Sequence, residues 1–384
     1  MSERSRRLYE LDALRVLALG LLILYHLGMF YVSWDWHVKS PRLLPALEGP
    51  MSWLNPWRMS LLFVVSGAAT AMMCERGAST RLFAHRSRRL LWPLLVGMLI
   101  IVPPQPYLEV VEKLGYTGSY LEFLKLYFSA YKGFCRGTDC LILPTWNHLW
   151  FLPYLWAYTL LVLVLHRFQW GQRLAWGHLL RGTRLLWLPL LPLWLWRTVL
   201  MPHFPSTHAF VDDFYNHALY GTMFVLGFFA FGSREDAHGL WAAACRLRWW
   251  ALSAALMAFG LFAWGNAAYA ADEEVPASAL AALRFLRVCQ QWLPIVAALG
   301  FARQHLSACG GPVWRWLSLA VFPVYILHQT VIVVAGHALA LQRWPLWLEM
   351  SAVLALTLGV GLAGAWLAMR WRWLGMALGV EKRA

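Results

Sequence analysis

Arg15 and His26 lie eleven residues apart in an apolar run that begins Tyr-Glu-Leu-Asp-Ala-Leu-Arg at residue 9. Eleven residues are close to three helical turns, so the two share one face, about 16 Å apart along the axis. An imidazole, with an ordinary pKa near 6.5, can take and return a proton at neutral pH or act as a nucleophile. A guanidinium suits phosphate, which it grips with two parallel hydrogen bonds. Asp12 stands one turn before Arg15 and can pair with it, and His37 continues the eleven-residue step beyond the expected helix end. The plain alternative is an arginine snorkelling to headgroups and a histidine hydrogen-bonded inside a bundle.

Other apolar runs carry similar residues. Arg86 and Arg89, in Arg-Ser-Arg-Arg-Leu-Leu-Trp-Pro (86–93), lie one turn apart at a helix start and could form a phosphate fork, or could simply mark a cytoplasmic helix end. Arg58 precedes Met59 and the run Phe63–Gly67 at the outer end of the second run. His148 and Trp150 fall in Trp-Asn-His-Leu-Trp-Phe-Leu (146–152), where tryptophans ordinarily act as interfacial anchors. Tyr325 and His328 sit one turn apart in Phe-Pro-Val-Tyr-Ile-Leu-His-Gln (322–329). Any one of these could be structural. Four apolar runs that each present histidine or arginine are harder to explain by packing, because an ionisable group in lipid is costly. The cysteines form no CxxC pair or Cys/His array, so no metal site is expected.

The elements that must hold these residues follow from composition. Of 384 residues 60% are hydrophobic and only 14% charged, 25 are tryptophan, and the mean hydropathy is +0.51. A soluble domain carries about 25% charged residues, so an all-α polytopic membrane protein is the expectation. Apolar runs near 11–33, 56–74, 90–104, 148–166, 185–201, 217–232, 249–270, 286–302, 317–340 and 346–369 predict about ten transmembrane helices in one integral-membrane domain, 1–384. Arg4, Arg6, Arg7, Arg76, Arg81, Arg173, Arg181, Lys382 and Arg383 fall on one side of that topology, and Asp212, Asp213, Asp272, Glu273 and Glu274 on the other. The positive-inside rule then puts both termini in the cytoplasm. The net charge of +14 is thereby topology, not a nucleic-acid footprint. The first run reads as a retained signal anchor. Cys135 and Cys140, in the long outer loop of roughly 105–147, would face an oxidising compartment as a local disulfide or as two free thiols.

Together these segments resemble the membrane-bound acyltransferase type 3 family. Its recurrent features are an arginine and a histidine spaced as Arg15 and His26, a pair like Arg86-x-x-Arg89, and ten core helices. The similarity is closer to the branch that succinylates periplasmic glucans, carried by Tyr9–Arg15, Tyr31–Ser40 with Trp36 and His37, Arg58-Met59, His148–Leu152 and Tyr325–Gln329. No late mid-helix carboxylate stands out as a partner for His26. The resemblance implies acyl transfer from cytoplasmic acyl-CoA, a co-substrate with no bound cofactor, to a hydroxyl of an extracytoplasmic glucan or other carbohydrate, in a bacterial inner membrane. His26 would be the catalytic base or acyl carrier, and Arg15, Arg86 and Arg89 would bind the coenzyme's phosphates. Trp36, His37, His148, Trp150, Tyr325 and His328 would face the acceptor, with Arg58 for the carboxylate of a succinyl group. Two rivals use the same residues differently: a secondary transporter with intramembrane His and Arg, and a haem protein with axial His26, His148 or His328.

Overall fold

The computed structural model describes residues 8–74, 79–168, 179–270 and 274–380. Arg4, Arg6, Arg7, Arg76, Arg173, Asp272, Glu273, Lys382 and Arg383, which entered the charge pattern, lie outside the described residues. The chain runs through α1 (Tyr9–Tyr31), α2 (Glu48–Cys74), α3 (Ser79–Val96), α4 (Pro104–Leu114) and α5 (Tyr120–Phe128). A short hairpin of β1 (Cys135–Arg136) and β2 (Asp139–Cys140) follows. Then come α6 (Phe151–Arg167), α7 (Arg184–Trp187), α8 (Leu190–Val199), α9 (Phe214–Ala230), α10 (Arg234–Ala268), α11 (Ala277–His305), α12 (Pro312–Ala340), α13 (Leu346–Arg370) and α14 (Arg372–Ala377).

Among the described residues seven helices are long and apolar enough to cross a membrane, or eight if a pair bent by 43° at Val102 and Pro103 counts as one span. Ten were expected. The run at 185–201 is interrupted at Leu188 and Pro189, which separate α7 from α8, because proline removes a helix hydrogen bond and its ring crowds the preceding turn. The run at 217–232 becomes α9, whose 17 residues reach only about 25 Å. Elsewhere the apolar character serves the bilayer directly. Trp250 and Trp264 on α10 are each 72% exposed; such a face would aggregate in water but is solvated by lipid. This is a multi-pass helical membrane protein.

The chain divides into two compact units. The first comprises Met1–Ala18, Ser52–Arg86 and Tyr154–Ser318. In it α2 and α9 cross at reciprocal glycines: a Cβ on Gly67 would sit 2.1 Å from the Phe224 carbonyl oxygen, and one on Gly227 2.0 Å from that of Val64. Small residues permit this backbone approach, as membrane helix packing favours. Buried Asp213, just before α9, accepts hydrogen bonds from Tyr154 Oη, the Thr207 and His208 amides and Asn216 Nδ2.

The second unit comprises Leu19–Met51, Ser87–Pro153 and Leu319–Ala384. Its segment 105–147, expected as an outer loop, is itself folded. Gly115 closes α4 in the left-handed region at φ 66°, where glycine has no steric penalty. Ser119 and Glu122 form a reciprocal capping box that starts α5. Val110, Phe123, Tyr127, Phe134 and Leu143 make a small core beneath the hairpin, and Cys135 and Cys140 are joined by a disulfide. Glu349, buried in the first turn of α13, is held by Arg42 and by Tyr31 Oη at 3.0 Å.

Candidate active site

Within the second unit α1 and α12 bring two histidines into contact. His26 Nδ1 lies 2.8 Å from His328 Nε2, with ring centroids 5.0 Å apart. The other His328 nitrogen, Nδ1, lies 2.6 Å from the Tyr325 carbonyl oxygen one turn earlier. A carbonyl can only accept, so with both rings neutral His328 carries its proton on Nδ1 and accepts at Nε2. His26 must then donate from Nδ1, which leaves the lone pair of its ring on Nε2. The partner thus fixes the tautomer, as carboxylates and carbonyls do for histidines in other sites. Trp36 stacks near His26, with centroids 6.4 Å apart and planes 16° from parallel.

A chain of amides extends from this pair. His148 Nε2 donates to the Ile326 carbonyl oxygen at 3.0 Å, and its Nδ1 accepts from Gln105 Nε2 at 3.3 Å. Gln105 Nε2 also donates to Thr330 Oγ1, while Gln105 Oε1 accepts from Asn147 at 3.0 Å and Gln329 at 2.9 Å. Gln329 gives its second proton to His37 Nε2 at 3.1 Å, and His37 Nδ1 donates to Glu109 Oε2 at 2.6 Å. Both amide protons of Gln105 and both of Gln329 have distinct acceptors, so the orientations of these two side chains and of the imidazoles they bond are mutually determined. Lys39 fixes the segment that carries Trp36: its Nζ donates to the carbonyls of Met29, at the end of α1, and Trp34, at 2.6 and 2.9 Å. Burial pushes this ammonium down, with Asp35 and Glu48 pulling it up.

Of the residues singled out in the sequence, the second unit brings together His26, Trp36, His37, His148, Tyr325 and His328. His148 and His328 have ring centroids 5.2 Å apart, and Tyr325 Oη donates to the His148 carbonyl oxygen at 2.5 Å. Trp150 belongs to this unit and packs edge-on to Phe151. So does Arg89, whose Nε donates to the Gly379 carbonyl oxygen at 3.2 Å and whose guanidinium lies 6.0 Å from the Phe322 ring centre. Arg15, Arg58 and Arg86 belong to the first unit. Arg15 approaches Asp12 at 3.8 Å, as its spacing implied. Arg86 is buried and donates to Thr70 Oγ1. Arg58 is buried, and its charge acts on His208 in the segment before α9. There burial pushes the His208 imidazole down to about 4, with Asp213 pulling it up and Arg58 pushing it down.

Sequence reasoning did not single out Gln105, Glu109, Asn147 or Gln329. Two signals existed. Gln105 and Glu109 stand four apart on α4, one face of an amphipathic segment, and Gln329 follows His328 on the buried side of α12. A fully buried glutamine needs partners, but adjacency along the chain could not name them.

The sequence profile of a family described as an acyltransferase domain matches residues 8–368. The chain is also similar to Glucans biosynthesis protein C from Escherichia coli strains SMS-3-5 / SECEC, K12 and O1:K1 / APEC, 29% identical in each case over 101 residues. That match covers 26% of this chain and spans only 26% of each relative's length. No solved structure matches the chain to a significant degree. Since the profile extends over nearly the whole sequence, the chain belongs to the membrane-bound acyltransferase type 3 family.

Proposed function

We propose that this protein is a membrane-bound O-acyltransferase that moves a succinyl or acetyl group from cytoplasmic acyl-CoA to a hydroxyl of an extracytoplasmic glucan or related polysaccharide. The observation that carries this reading is the His26–His328 contact in a chain of this family: it presents an imidazole lone pair of defined direction on a helix long and apolar enough to cross a membrane. The carbohydrate acceptor is suggested by the name of the E. coli relatives.

In the reaction His26 Nε2 removes the proton of the acceptor hydroxyl as its oxygen attacks the thioester carbonyl. The C–S bond of the tetrahedral intermediate then breaks. The coenzyme leaves as a thiol by taking the proton back from His26, and the acyl ester stays on the acceptor. His328 stabilises the transient imidazolium by accepting from Nδ1. Arg15, Arg86 and Arg89 bind the phosphates of acyl-CoA, which serves as co-substrate, and Arg58 binds the free carboxylate when the group is succinyl. Trp36, His37, His148, Trp150 and Tyr325 surround the acceptor side. The distance from Arg15 to His26 along α1, about 16 Å, is the reach a pantetheine arm needs. The charge pattern supports a multi-pass topology with both termini cytoplasmic, and the E. coli relatives support a bacterial inner membrane; the bilayer is the surrounding partner, and no nucleic acid is involved.

The test is incubation of membranes containing the protein with isotopically labelled succinyl-CoA or acetyl-CoA and a neutral gluco-oligosaccharide, followed by mass spectrometry. An oligosaccharide gaining one acyl mass, and absent from control membranes, is the expected result. Uptake of oligosaccharide into vesicles without any ester would replace this reading with transport.

A further inference from the structure

Beside the histidines, the same unit holds a cleft of about 400 Å3 between α4 and the disulfide hairpin, a volume in the range of small-molecule sites, about 300–1,000 Å3. Its polar lining is Asp35, Glu109, Lys113, Arg136 and Asp139. Several of these charges are held in place by one another. Lys113 Nζ lies 2.9 Å from Asp35 and 3.0 Å from Glu109, whose second oxygen takes the His37 proton. Lys113 thus stands between two carboxylates, and with Arg136 and Asp139 the wall offers both acceptors and donors with nearly balanced charge.

Such a wall suits a ligand whose polar groups both donate and accept and which carries no net charge. Hydroxyl groups meet that description. Phosphates do not, because three carboxylates would face them at close range. The remaining surface, from Val110, Leu114, Phe134 and Leu141, is apolar and matches the C–H face of a sugar ring. One end of the cleft approaches the histidine pair: Glu109 bonds His37, and the preceding residue, Trp36, stacks near His26.

We propose that this cleft is a glycan subsite that binds a neutral glycosyl unit adjoining the one to be acylated. The Cys135–Cys140 disulfide keeps Arg136 and Asp139 on its wall. The direction of the proposal rests on the acyl-transfer reading, but its test does not. Full-length protein in lipid nanodiscs would be titrated calorimetrically with a neutral linear gluco-oligosaccharide and, separately, with acetyl-CoA. Lys113→Met and the double variant Arg136→Ala/Asp139→Ala should each weaken oligosaccharide affinity at least fivefold, with acetyl-CoA affinity within twofold of the starting protein. Reduction of the disulfide should act in the same direction. The double variant alters exposed hairpin residues, so it reports on the cleft even if Lys113→Met fails to fold. An oligosaccharide that binds the starting protein and the double variant equally, or that does not bind at all, would overturn the subsite. Binding with no ester formed under any condition would remove the acyltransferase reading and leave the subsite standing.

Discussion

At the scale of single residues, the direction of the His26 lone pair is set by an atom that is not on any side chain, the carbonyl oxygen of Tyr325. The polarity passes from that carbonyl through His328 to His26. Two substitutions test the two ends of this relay. His26→Ala should lower the turnover rate by about 10²–10⁴-fold, the contribution expected of a positioned acid–base group, while leaving membrane insertion unchanged. Residual activity near that of the starting protein would remove His26 as the base. For His328 the order of activities carries the information. His328→Gln keeps an oxygen able to accept the His26 proton and should retain more activity than His328→Leu, with the loss in the turnover rate and little change in the donor KM. Equal activity in the two variants would reduce His328 to a packing role.

At the scale of elements, the segment that leads into α9 depends on one carboxylate. Burial pushes Asp213 up, but the hydrogen bonds from Tyr154, Asn216 and the Thr207 amide outweigh it and hold this carboxyl below its ordinary value. A carboxyl with a depressed folded-state pKa stabilises the fold above the unfolded pKa, near 3.9, and that stabilisation is lost as pH falls through the folded value. Asp213→Asn should therefore lower the melting temperature at pH 7, at a cost on the order of 2 kcal/mol for charged hydrogen bonds in a buried setting. The gap between the two proteins should narrow as the pH falls below about 4. Melting curves of both proteins at a series of pH values check this, and a gap that stays constant down to pH 3 would show that the carboxyl is not held low. The segment 105–147 makes a related point. Its capping box and closing glycine were readable as local signals, but its helices, of 11 and 9 residues, are too short to register among apolar runs of about 20 residues.

At the scale of the whole molecule, the chemistry proposed here is defined by sidedness. Acyl-CoA is made in the cytoplasm, and its phosphates cannot enter hydrocarbon cheaply, whereas the thioester on its thin arm can reach bilayer depth inside protein. In sealed vesicles of known orientation, acyl-CoA should support ester formation only from the cytoplasmic face, on glycan supplied to the opposite face. Undiminished transfer with both substrates confined to one face would sink the through-membrane scheme while leaving acyl transfer itself intact.

The sequence by itself determined the solvent and the class of fold, because a chain that is 60% hydrophobic and 14% charged can satisfy its backbone in lipid only as helices or as a closed barrel, and its long apolar runs have no alternating period. It also determined the conspicuous polar residues, since a histidine or arginine inside an apolar run is visible without knowledge of its neighbours. Arg15, His26 and His328 were legible in that way. The tertiary structure decided which of them meet. His26 and His328 are 302 positions apart in sequence, and no local spacing encodes a contact made when α12 packs on α1. The continuity of the helices was likewise decided by the fold, as the breaks around Pro189 and between α3 and α4 show. The amides of Gln105, Asn147 and Gln329 escaped notice for the same reason. An uncharged polar side chain among apolar neighbours gives a weak signal, and only the burial of its partners makes each hydrogen bond obligatory.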